Sequence, residues 1–282
     1  MLPLCIRFMT VGIAAIFNED GKSGIILVAD KMISLSNITI EHSISKIEKV
    51  YANEVIKIWG VGSGDLSLIT DFFEKLRNQC EIIGNKIKTV KNVAELGSSI
   101  YNLIIRQKVN KMFLEPLGID YSIIQKGRVE EQILDNFVNF TNGIIKEIQS
   151  NLEILIAGLD EHGAHIFKFY GQDFSISEKL GFDAIGSGAD SAVWTLIHKQ
   201  YDPKKSLNSA IVLCSWAKFQ SEESFGVGEN TDLCILKDFE KEKWVSNGFL
   251  NDLRSKVKNI NDDVVKQTEE LVKSLTYDKP NI

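Results

Sequence analysis

The chain has 282 residues, 44% hydrophobic and 25% charged, enough to bury a sizeable core in one large domain or two small ones. Its 32 basic and 38 acidic residues leave a net charge of −6 with no dense Lys/Arg block, which argues against nucleic acid or an anionic membrane as the main partner. The longest apolar runs, such as 24–29 and 154–158, are strand-sized and fall well short of the ~18 residues that cross a bilayer.

The start, MLPLCIRFM, is too short and too weakly charged for a secretory signal. Residues 10–17 and 24–30 are β-rich runs joined by NEDGKS, whose Asp20-Gly21 pair predicts a hairpin. Further strands fit 37–40, 46–50 and 54–60, the last ending in the glycine-rich GVGSG. A helix follows, with Ile69, Phe72, Phe73, Leu76 and Cys80 on one stripe. A second helix is expected over 93–113, stopped by Pro116. Between 117 and 150 the chain is polar, with a sparse stripe of Ile133, Phe137, Phe140, Ile144 and Ile148, and is expected to form an added surface helix.

Strands resume at 152–159 and 164–170 around the tight turn DEHG. Residues 182–185 lead into GSGAD and a helix over 191–198. Ser206 caps the next helix, whose buried stripe is Leu207, Ala210, Ile211, Cys214 and Ala217. A last strand covers 231–236. The tail, 248–277, carries Leu250, Leu253, Val257, Ile260, Val264 and Leu271 at helical spacing, and Asn261-Asp262 is expected to split it into two helices. Strands, two helices, strands, two helices and a strand are buried most economically as two sheets with helices outside, an α+β, four-layer αββα sandwich. The expected division is a short leading segment or mis-assigned start at 1–9, a domain over 10–240 with the insertion at 117–150, and a helical extension at 241–282. Cys5, Cys80, Cys214 and Cys234 are scattered without a Cys-x-x-Cys, and are read as reduced thiols of a cytoplasmic protein.

The chemistry centres on Thr10, directly after Met9. If residues 1–9 are removed, Thr10 becomes an amino terminus whose α-amine, with a pKa near ~8, can take the proton of its own hydroxyl. The bland alternative is a strand residue in an uncut chain, where the same hydroxyl is inert.

Several pieces in order carry a resemblance: LVADK at 27–31, SKIEKV at 45–50, WGVGSGD at 59–65, EILIAGLDEHGAHIFKF at 153–169, FDAIGSGADSA at 182–192 and VGENTDLCIL at 227–236. Asp30 and Lys46 stand sixteen positions apart. The pattern resembles a proteasome-type subunit of the N-terminal-nucleophile hydrolase superfamily, of the β-type found in bacteria and archaea. The resemblance implies Thr10 as nucleophile, Lys46 as the cation beside it, Asp30 as the partner that holds Lys46, and Ser187 as a hydrogen-bond partner of the threonine amine. It implies Gly60 as the backbone oxyanion donor, with Gly62 the alternative, and Ile44 and Ile58 facing an apolar substrate pocket. It implies a peptide or unfolded-protein substrate, a homo-oligomer in the form of a ring, an ATPase or regulatory cap as partner, and no metal or organic cofactor.

Two departures stand out. The stretch from Thr10 to Asp30 is longer than in typical catalytic subunits. The family's aspartate and serine near a Ser-Gly-Gly before the last strand are replaced by SEESFGVGEN, where Glu222, Glu223 and Ser224 are not assigned. The rival readings are a non-catalytic structural subunit and a small-molecule amidase. His162 and His165 flank a turn and are expected to be exposed. GVGSGD lacks the lysine-serine ending of a phosphate loop.

Overall fold

The computed structural model describes residues 6–8, 10–35, 38–41, 43–127, 129–237 and 240–274. In chain order the first elements are strands β1 (Ile6–Phe8), β2 (Gly12–Glu19), β3 (Lys22–Asp30), β4 (Met32–Leu35), β5 (Ile38–Glu41), β6 (Ile47–Ala52) and β7 (Lys57–Asp65). Helices α1 (Leu66–Ile83), α2 (Val90–Val109), α3 (Tyr121–Gln125) and α4 (Glu131–Asn151) follow. Strands β8 (Leu152–Asp160), β9 (Gly163–Tyr170), β10 (Asp173–Ile176) and β11 (Phe182–Ile185) lead to helices α5 (Ala189–His198) and α6 (Leu207–Ser221). Strands β12 (Thr231–Lys237) and β13 (Lys243–Trp244) and helix α7 (Asn247–Ser274) come last. The class is α+β, with every strand pair antiparallel among the described residues.

Local chemistry accounts for the joints that matter. Asp20 and Gly21 both take positive φ, 54° and 79°, between the paired residues Glu19 and Lys22, the backbone that a two-residue hairpin requires. Asp65 ends β7 and caps α1, its carboxylate accepting from the N–H groups of Ser67 and Leu68 at 2.9 and 3.1 Å. Thr89 and Asn92 form a capping box at the start of α2.

One sheet has the order β10-β9-β8-β7-β1-β4-β5, with β6 also on β7; the other runs β11-β2-β3-β12-β13. Three apolar clusters tie them together. The first joins α1, α2 and the C-terminal half of α4 to the larger sheet through Phe72, Phe73, Tyr101, Ile148, Phe167 and Phe169. The second packs α5 and α6 on the smaller sheet through residues such as Ile13, Val28, Leu196 and Cys214. The third lies between the sheets, with Leu27 and Ile25 against Trp59, Val61, Leu155 and Ile166. Each apolar face is thus buried by a neighbouring element, the main source of stability for such a chain.

Several expectations change. The strand expected at 37–40 is one arm of a β4–β5 hairpin. The tail helix runs unbroken from Asn247 to Ser274, through Asn261 and Asp262; Asn and Asp inside a helix cost only ~0.7 kcal/mol each relative to Ala. Beyond α2 the helical path continues through a π turn, Asn110–Leu114, and a short 3₁₀ turn, Glu115–Leu117, and ends there, one residue after Pro116. Cys80, Cys214 and Cys234 are buried free thiols, and Cys5 lies outside the described residues. Among the described residues no helix is long and apolar enough to cross a membrane.

Candidate active site

Thr10 lies just before β2, Asp30 ends the neighbouring β3, and Lys46 precedes β6 in the other sheet. The cluster therefore forms where the two sheets meet. All three side chains are buried, Thr10 and Asp30 completely. Lys46 Nζ donates to Thr10 Oγ1 at 2.7 Å and to the two Asp30 carboxylate oxygens at 3.0 and 3.1 Å. The Thr10 hydroxyl in turn donates to Asp30 Oδ1.

A buried carboxylate is costly unless its lone pairs are met. Asp30 accepts three backbone N–H bonds besides the ammonium: Val11 at 3.0 Å, Met32 at 2.9 Å and Gly228 at 3.1 Å. Burial pulls the Lys46 ammonium below the ordinary lysine range, and the charges of Asp30 and Glu41 oppose that shift. A lysine held this way is a cation whose proton is easier to remove than in water.

The GSG turn before α5 wraps the Thr10 carbonyl. Gly188 N–H donates to it at 3.2 Å, and Ser187 Oγ reaches it at 3.4 Å. Gly186 takes φ 89°, and a Cβ there would run into the Thr10 carbonyl oxygen, so only glycine fits. The Gly186 N–H is held by Glu153 Oε2 at 2.7 Å. Ser187 thus meets the carbonyl of Thr10 in the uncut chain, whose Thr10 nitrogen is committed to the peptide bond with Met9.

The two glycines of β7 sit differently from one another. Gly60 pairs with Glu48 on β6 and Ile156 on β8, well inside the ladder. The pairing of β6 with β7 runs to Ile47 opposite Val61, so Gly62 stands nearer the Lys46 end than Gly60. Both turn their missing side chains toward α1: a Cβ would meet Phe73 at 2.5 Å from Gly60 and Ile69 at 2.5 Å from Gly62. Close helix packing accounts for both glycines. Ile58 is wholly buried in the core beneath the helices, and Ile44 is 61% exposed, so they do not share a pocket. Glu222 pairs with Lys218 and Arg254, and Ser224 Oγ lies 3.4 Å from Ser191 Oγ.

Glu153 and Gly228 are site neighbours that motif reading misses: the Glu153 carboxylate accepts from the Gly186 N–H and the Gly228 N–H donates to Asp30, and each bond has a backbone N–H on one side that leaves no residue pattern. The expectation for the hairpin histidines holds for His162, but His165 is largely buried. It bridges Asp160 and Glu178 at 3.0 and 2.6 Å, since the β9 register points it at both carboxylates.

No protein-family model and no curated protein matches the chain. Solved structures do. The Gly-1 mutant of Anbu from Hyphomicrobium sp. strain MC1 is 13% identical, with a TM-score of 0.64 over 94% of this chain and 100% of that one. Anbu from Yersinia bercovieri, described as an ancestral beta-subunit, is 12% identical, with a TM-score of 0.62 over 96% of this chain and 100% of that one. The fold is therefore proteasome-like, of the kind seen in Anbu. This corrects the resemblance drawn from the motifs: identity of 13% and 12% to Anbu carries the fold alone, and does not make the chain a β-type proteasome subunit of the N-terminal-nucleophile superfamily.

Proposed function

We propose that this chain is a threonine-nucleophile hydrolase of amide bonds, active once Thr10 carries a free α-amine. The observation that carries the reading is the 2.7 Å approach of the Lys46 ammonium to the Thr10 hydroxyl oxygen, with Asp30 bonded to both. In the reaction, the α-amine takes the hydroxyl proton and Oγ1 attacks the substrate carbonyl. The Lys46 charge lowers the energy of the developing alkoxide. The C–N bond breaks as the leaving amine takes the proton, leaving an ester on Thr10, and water then cleaves that ester. A backbone N–H of β7 would meet the oxyanion; the register favours Gly62 over Gly60 for that task. Ser187, at the Thr10 carbonyl, would be free to turn to the amine once the chain is cut.

A peptide or unfolded protein is the substrate proposed, in the cytoplasm, with the chain in a homo-oligomeric ring. The proteasome-like fold shared with the two Anbu structures is what supports the substrate class and the ring, and the buried free thiols support the cytoplasm. The αββα four-layer order is supported by the three apolar clusters, and residues 1–9 and 241–282 are read as a removable segment and a helical extension.

The non-catalytic reading has one observation in its favour. In the uncut chain Thr10 is fully buried, and β1 pairs with β4 and β7, with Arg7 opposite Asp65 and Phe8 opposite Gly64. Mass spectrometry of the native amino terminus, followed by labelling with a peptide epoxyketone and peptide mapping, separates the two. The expected result is a terminus at Thr10 and an adduct there that Thr10→Ala abolishes. A Thr10-terminal protein that takes no label and cleaves no peptide would leave the non-catalytic reading standing.

A further inference from the structure

The turn between α6 and β12, residues 222–230, reaches the site from the side of the smaller sheet. Its Gly228 N–H donates to Asp30 Oδ2 at 3.1 Å, just before Thr231 pairs with Asp30 in the sheet. The carbonyls of the same turn are held by a lysine inside the protein. Lys218 of α6 has no exposed side-chain surface, yet its three N–H donors all find acceptors. They go to the Gly228 carbonyl at 2.6 Å, the Glu229 carbonyl at 2.8 Å and the Glu222 carboxylate. The other Glu222 oxygen accepts from Arg254 of α7. Arg254 also donates to the Glu229 carbonyl at 2.5 Å and lies over the Phe219 ring at 4.3 Å. A continuous line of charge-assisted bonds thus joins the C-terminal helix to the carboxylate that touches Thr10 and Lys46.

An ammonium without solvent is expensive to place, and simple docking of α7 would not need one beneath this turn. What Lys218 fixes is the two carbonyls that follow the Gly228 N–H in the chain, and with them the path of the turn that presents it. We propose that Lys218, Glu222 and Arg254 are positioning residues that hold the Gly228 N–H on Asp30, and so make the reactivity of Thr10 depend on α7 being docked. The dependence on Thr10 rests on its reading as nucleophile. Any partner that lifts α7 would lower that reactivity.

Amide exchange is read on the full chain, and labelling on the protein whose amino terminus is Thr10. Arg254 is the residue to change, because it is 28% exposed and its loss leaves the buried Lys218–Glu222 pair intact. Two variants, Arg254→Ala and Arg254→Lys, are compared with the parent by amide exchange of peptides spanning 225–231, and by epoxyketone labelling. In Arg254→Ala, exchange of that segment is expected to quicken roughly ten-fold, with α1 and α2 unchanged. The maximal labelling rate is expected to fall about five-fold at unchanged inhibitor affinity, the mark of lost transition-state rather than ground-state contacts. Arg254→Lys is expected to recover part of both. Unchanged exchange would overturn the proposal, and so would faster exchange with an undiminished labelling rate. A parent that takes no label overturns the nucleophile reading and the link to reactivity together, while the exchange rates still decide whether Arg254 holds the turn.

Discussion

The Lys46 ammonium sits 2.7 Å from the Thr10 hydroxyl oxygen across a sequence separation of 36 residues, and it comes from the opposite sheet. Neither sheet alone could place a cation there. Thr10 and Asp30 arrive on adjacent strands, and Lys46 is delivered by β6, whose pairing with β7 fixes its height. The cluster is therefore a product of the two sheets packing face to face, and its integrity reports on the whole inter-sheet core.

The stability of that pair can be measured. Lys46→Met leaves the fully buried Asp30 carboxylate without its cation and is expected to cost about 3–5 kcal/mol. The double variant Lys46→Met/Asp30→Asn removes the stranded charge and should regain most of the loss. Urea unfolding of both variants checks this. A double variant as unstable as the single would mean that packing, and not charge, sets the cost.

Burial lowers the titration range of both Lys46 and Lys218 from the ordinary lysine value of 10.5. A cation whose folded-state pKa is depressed favours folding most above its unfolded value. That contribution is lost as pH falls from 10.5 through the folded-state pKa, because the unfolded chain takes up the proton first. Unfolding free energy should therefore rise with pH in that window, and the rise should shrink in Lys46→Met and in Lys218→Met. Parallel pH series of urea midpoints decide it; equal slopes in all three proteins would show that neither lysine titrates on unfolding in that window.

How much of this is legible from residue order depends on the distance over which each feature is decided. The Asp20-Gly21 hairpin and the stripe Ile69, Phe72, Phe73, Leu76 and Cys80 depend on neighbours alone, and the structure has both. Thr10, Asp30 and Lys46 can be named from spaced motifs. Strand β4 cannot, because Met32–Leu35 is held by β1 and β5, pairings invisible in its own residues. The family resemblance misplaces Ile58, and residue order could not correct it, because β7 is buried on both faces: Ile58 faces the helices, Trp59 and Val61 the other sheet. Period-two alternation carries no signal for such a strand. Gly60 and Gly62 carry an equally ambiguous signal, since glycine under a packed helix and glycine at an oxyanion site look the same in a sequence.

Reactivity offers a graded prediction for the Thr10-terminal protein. Lys46→Met should slow epoxyketone labelling by roughly two to three orders of magnitude, the usual size for removing a group that meets developing charge. Ser187→Ala should cost far less, on the order of a few-fold, because the residue is exposed and its hydroxyl makes a single long contact at 3.4 Å. Second-order labelling rates at fixed pH test the ranking. Equal losses at both positions would assign Ser187 a larger part than its geometry supports.

Two glycines should respond to alanine with opposite signs, and the contrast isolates the site from the scaffold. Gly143 lies inside α4 with open space where a Cβ would go. Gly143→Ala should stabilise the chain by about 0.5–1 kcal/mol, through helix propensity and a less flexible unfolded state. Gly186 is held at φ 89° with the Thr10 carbonyl oxygen in the space a Cβ would take. There the turn must move off Thr10 or strain, and because the obstacle is backbone it cannot swing aside as a side chain would. A loss of about 2–3 kcal/mol follows from overpacking and left-handed backbone together. Thermal unfolding of the two variants gives both signs at once. In the Thr10-terminal protein, Gly186→Ala should also lower epoxyketone labelling even at temperatures where it is fully folded, because displacing the turn removes the Gly188 and Ser187 contacts to the Thr10 carbonyl. Full labelling in a folded Gly186→Ala protein would mean that the GSG turn supports the fold without orienting Thr10.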